Sequence, residues 1–174
     1  MFADDDKVSQ EQGRRHAHAR AFSVTLSLKD IQRLAVHYVP RTAADHRLYD
    51  DGAKSWWPAH EIGHFLVATP AECREHQFGI GMDAEAGTAK HRYIIAKEIA
   101  AMSISQRLLR RSGHAAIADE EIQFTDEWTL ECSFERWCRR AVAKMMLRNR
   151  TRRLPTTAIT LERLLARKTR EVRR

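Results

Sequence analysis

Glycine and proline are scarce in this chain, 7 and 4 among 174 residues. A many-turned sheet protein uses more of both, so the shortage favours helices, and Ala, Leu, Arg, Glu and Ile are accordingly frequent. Long apolar runs are missing as well. None approaches the roughly 20 residues that span a bilayer, and the opening MFADDDKVSQEQGRR is acidic and polar, unlike a secretory signal. Only three cysteines occur, Cys73, Cys132 and Cys138, an odd number in no zinc-knuckle spacing. They read as reduced, packed thiols of a cytoplasmic protein.

Charge, by contrast, is plentiful and unevenly spread. With 43% hydrophobic and 30% charged residues the profile is globular, and the length suits one domain of ordinary size. The formal net charge is +7. Between Arg139 and Arg174 there are 13 Lys or Arg against 2 acids, a local +11, so the remainder sums to −4. Basicity is therefore a property of the C-terminal end. That end offers a weak contact for nucleic-acid phosphates, although no aromatic follows Trp137 to stack on bases. The alternative is a solvated helix that docks through Leu161, Leu164 and Leu165, its arginines turned toward the acidic stretch 119–131.

Along the chain, residues 1–20 read as a flexible tail, 21–150 as the main domain and 151–174 as a basic C-terminal helix. Phe22, Val24, Leu26 and Leu28 alternate with small or polar residues, the period of a half-buried strand. The expected fold is thus mainly α (α+β), a compact helical domain with a small β-sheet. Ser27 and Asp30 look like the start of a helix that Pro40 ends. Ser55 is the expected cap of a helix running to about Ala68, with Pro70 as its stop. Residues 91–111 form a long helical pattern closed by Ser112-Gly113. Phe134, Trp137, Cys138, Ala141, Val142 and Met145 lie on one face of a further helix, and a last one follows Pro155. The segment 119–131 has six acids, no base and no decisive period.

One pattern carries chemistry: His60-Glu61-Ile62-Gly63-His64, or H-E-x-x-H. On a helix the two histidines sit one turn apart on one face, so both imidazoles reach a single ion. Zn2+ suits such ligands, and a catalytic site keeps one position for water. Glu61 projects beside the metal, where it can act as general base toward the attacking water. The flanks Trp56, Trp57, Phe65, Leu66 and Val67 are apolar, and burying three ionisable groups there without a use would be costly. A third ligand is needed. Glu98 shares a helical face with Ile94, Ala101, Ser105 and Leu108, which places a carboxylate on an inward stripe. His76, His91, Asp83 and Glu85 remain alternatives.

AHEIGHFLVATPAE, followed by the E-I-A-A of a downstream helix, resembles the gluzincin type of zinc metallopeptidase, and most of all the ImmA/IrrE family. The likeness covers roughly residues 50–112. It implies a zincin-like helical peptidase with a small sheet, His60, His64 and Glu98 as metal ligands, and Glu61 as base. It also implies a protein or peptide substrate, such as a repressor encoded alongside. His91, Tyr93, His114 and Tyr49 are candidate donors to the oxyanion, and the Phe22–Leu28 strand a candidate edge for an extended peptide. Two readings compete with the peptidase: a catalytically inactive metal-binding regulator, and a basic helical nucleic-acid-binding protein.

Overall fold

Ser27 decides where the first element begins. Its hydroxyl accepts the Asp30 N–H at 3.1 Å while the Asp30 carboxylate accepts the Ser27 N–H at 3.1 Å. This reciprocal capping box starts helix α1, Leu28–Tyr38. The computed structural model describes residues 25–40, 54–75, 85–149, 151, 154 and 157–174. Within them the order is α1, α2 (Trp57–Val67), α3 (Pro70–Arg74), α4 (Ala89–Arg111), α5 (Ala115–Phe124), α6 (Glu127–Phe134), α7 (Arg136–Arg148) and α8 (Ala158–Arg173).

The mainly helical expectation holds, but the small sheet does not among the described residues. The strand expected over Phe22–Leu28 is overturned where it can be seen: Leu28 is already helical, and Thr25 makes only an isolated antiparallel bridge to Thr157. Phe22 and Val24 lie outside the described residues. The cap at Ser27 wins over the alternation, and Leu26 reaches the core from a non-helical approach.

Other boundaries moved for similar local reasons. Ser55 lies in the turn before α2; the cap position is Trp56, with no side-chain cap, and Pro58 takes an early helical site. Pro70 opens α3 rather than merely stopping α2, because Thr69 and Glu72 form a second capping box around it. Phe134 is the last residue of α6 and 79% exposed, not the first core position of α7. The acidic segment resolves into α5 and α6, separated by Asp126, whose side chain accepts the Thr129 N–H at 2.8 Å. At the end of α4, Gly113 takes φ 84°, so that its N–H meets Arg110 O and the His114 N–H meets Leu109 O at 2.8 Å. This is the Schellman closure that a glycine permits.

α2 and α4 form the centre of the core. α2 buries Ile62, Phe65, Leu66 and Val67; α4 buries Ile95, Ala100, Ala101, Ile104 and Leu108. Gly63 lets the two backbones touch, since a Cβ there would lie 2.8 and 2.9 Å from Ala101 Cα and C, and closer still to its O.

The basic helix α8 packs into this same core. Leu161 and Leu165 are fully buried, and each contributes about 1.5–3 kcal/mol by leaving water. α8 docks on α1 and α3, with Glu162 facing Tyr38 and Arg33. Lys168 is buried too, and burial pulls its pKa down. Its ammonium donates to Ala68 O at 2.6 Å and to Asn149 Oδ1 at 3.2 Å, and Asn149 donates to Val67 O at 3.3 Å. Together they satisfy carbonyls left open where α2 ends and place a cation at its negative pole. No helix among the described residues is long and apolar enough to cross a membrane.

Candidate metal centre

The helical spacing of His60 and His64 brings their Nε2 atoms to 2.9 Å. Glu98, from α4, faces both: its Oε2 lies 3.5 Å from His60 Nε2 and 3.2 Å from His64 Nε2. Four ligands at 2.0–2.1 Å around a tetrahedral ion are spaced about 3.3 Å from one another. The three separations therefore match the edges of such a cage. Glu61 belongs to the same cluster, offering an oxygen within 4.8 Å of both histidine ligand atoms. Glu61 is thus also near enough to the two imidazoles to face an ion, while Glu98 Oε2 approaches both, at 3.5 and 3.2 Å.

The imidazole of His60 is held from behind. Its Nδ1 lies 2.8 Å from Glu121 Oε1. A carboxylate can only accept, so Nδ1 carries a hydrogen, and Nε2 is the nitrogen that faces His64 and Glu98 and would ligate a metal on losing its own proton. Glu121 is 2% exposed and is fixed in turn by Gln106, whose amide donates to its Oε2 at 2.8 Å and to Ala118 O at 2.5 Å. This carboxylate–imidazole pairing is the usual support behind a metal-bound histidine.

Electrostatics favour a cation here. Burial pulls the His60 pKa down, but Glu121 and Glu98 outweigh it and push it up to about 10. Burial works the other way on Glu98, and the neighbouring His64 and His60 overcome it, holding its carboxyl below the usual carboxylate range. The donor set thus fits a divalent ion such as Zn2+: two imidazole nitrogens and one carboxylate oxygen, converging from two helices.

Beside these residues opens a cavity of about 270 Å³. Trp56, Trp57 and Phe124 wall it with apolar surface, while Glu98, Glu121 and Asp126 line it with carboxylates.

The alternative ligands lie elsewhere. His91 is on α4 two turns before Glu98, about 10 Å along the axis, where it stacks on Trp128 at 5.0 Å and accepts the Gly87 N–H at 3.3 Å. Glu85 is exposed ahead of α4. His76, Asp83 and Tyr49 lie outside the described residues. Of the candidate oxyanion donors, Tyr93 sits on α4 near Lys97, whose ammonium is 5.7 Å from its ring. His114 precedes α5, its Nε2 buried without a hydrogen-bond partner among the described residues.

Sequence reasoning missed Glu121 and Gln106. The available signal was register: Ala118 and Glu121, three apart, share the inward face of α5, so an acid there must meet a partner.

Comparison with family models, with curated proteins and with solved structures returns no match for this chain. The geometry therefore carries the functional argument alone.

Glu121→Ala is expected to leave the ligands in place but free the His60 ring to rotate, lowering zinc affinity about 10–100-fold. Competition against a chromophoric chelator measures this, with circular dichroism to verify folding. Undiminished affinity would show that Glu121 does not orient His60.

Proposed function

We propose that this chain is a zinc-dependent peptidase that hydrolyses a peptide bond in a protein partner. The observation that carries the reading is the mutual approach of His60 Nε2, His64 Nε2 and Glu98 Oε2 at 2.9, 3.2 and 3.5 Å. Glu61 and an open cavity stand beside them. The resemblance to ImmA/IrrE peptidases, in which the glutamate of the E-x-x-A pattern completes the ligand set, supports the same assignment: His60, His64 and Glu98 would hold the metal.

When bound, zinc supplies Lewis acidity, polarising a carbonyl and making a water nucleophile available near neutral pH. The remaining work falls to this chain's side chains. Glu61 takes a proton from the attacking water and returns it to the departing amine, with no relocation of the peptide between the two transfers. Glu121 keeps the His60 ring in one tautomer throughout. Trp56, Trp57 and Phe124 give an apolar side chain of the substrate a surface to lie on. A regulator that binds metal without catalysis would need the cage, but neither Glu61 in it nor the cavity beside it.

Elemental analysis of the purified chain tests the reading. Wild type should carry zinc in stoichiometric amount, and Glu98→Ala should lose most of it together with peptide hydrolysis. A protein that hydrolyses peptides equally well after exhaustive chelation would sink the proposal.

A further inference from the structure

A second cavity, of about 450 Å³, opens between α4, α6 and α7, and no step of the proposed chemistry uses it. Its apolar lining comes from Ile99, Val142 and Met146, and Arg107 and Arg139 flank it. Both arginines are exposed, and among the described residues neither has a carboxylate partner. Three other arginines differ in this respect: Arg110 is paired with Asp119, Arg33 with Glu162 and Arg167 with Glu171. Two unpaired guanidinium groups over an apolar floor form a receptor for an anion carried on an aliphatic stem.

We propose that this cavity receives an acidic residue of the peptide substrate, its carboxylate held between Arg107 and Arg139 and its methylenes resting on Ile99, Val142 and Met146. The inference rests on the peptidase reading and names the kind of sequence that enzyme selects. Charge decides the direction. The cavity beside the metal is lined by Glu98, Glu121 and Asp126, which repel an acid. Met102 lines both cavities, so the two adjoin across that side chain. Nine positions of α4 separate Glu98 from Arg107, about 13 Å along the axis. An extended peptide covers that in about four residues. The acid therefore belongs about four positions from the scissile bond, with an apolar residue near the bond itself.

Fluorescein-labelled peptides that differ only by Glu or Gln at that position provide the test. Binding is read by anisotropy on the Glu61→Gln protein, with zinc and again with chelator, and cleavage is read on wild type. The Glu peptide should bind about tenfold tighter, with the advantage shrinking as salt rises. Arg107→Glu/Arg139→Glu should erase the advantage while leaving zinc content unchanged, and Arg107→Gln/Arg139→Gln should reduce it. Equal affinity for the two peptides would overturn the inference, as would an equal loss for both in the arginine variants. If the Glu preference depends on the arginines but wild type cleaves neither peptide, the acid-binding subsite stands and the peptidase reading falls.

Discussion

Glu61→Gln should retain zinc at the wild-type level and hydrolyse peptides roughly 10²–10⁴-fold more slowly, the range that a positioned general base supplies. The substitution keeps the size of the side chain and removes its ability to accept a proton. His60, His64 and Glu98, the three groups whose ligand atoms converge within 3.5 Å, are untouched. The contrast with Glu98→Ala is what makes the pair informative: one variant loses proton transfer, the other loses the ion. Both are read on the same preparation, by zinc content and by initial rates. A Glu61→Gln protein with undiminished turnover would mean that the carboxylate beside the cage does not handle the proton.

Gly63→Ala should destabilise the fold on the order of 3 kcal/mol, the upper range for overpacking a filled core. Helix propensity alone points the other way, because alanine in place of a helical glycine gains about 1 kcal/mol. The clash decides the sign. The new methyl would meet the main chain of Ala101, and a backbone carbonyl inside a 23-residue helix has no alternative position to adopt. α2 must then move away from α4, and since the histidines ride on one helix and Glu98 on the other, zinc affinity should fall with stability. Urea unfolding and chelator competition measure the two effects. A variant as stable as wild type, with unaltered affinity, would refute the tight crossing of these helices.

How much of this could be read from sequence depended on whether the governing interaction was local. Ser27 with Asp30, and Gly113 after α4, are short-range devices, and their residues announce them. The spacing of His60 and His64 is a property of one helix, and Glu98 stood out as a charge on an inward stripe. Glu121 did not, because six acids within 119–131 look alike until α5 is placed against Gln106 and His60. Among the described residues the expected sheet is missing for a related reason. Alternation from Phe22 to Leu28 competes with a capping box that costs the chain almost nothing to form, and the box sets the conformation of Leu28. Pro70 shows the ambiguity of proline: the same ring that cannot continue α2 is well suited to begin α3 once Thr69 and Glu72 surround it.

The clamp at the end of α2 has a consequence for the order of synthesis. Ala68 leaves the ribosome one hundred residues before Lys168, the side chain that closes its carbonyl. While translation continues, the helix bearing both imidazoles has an open terminus and lacks the partner that neutralises its dipole there. A nascent chain arrested ahead of Lys168 should therefore exchange the amide hydrogens near Val67 more readily and take up zinc poorly, and the centre would mature only once Lys168 has joined the fold.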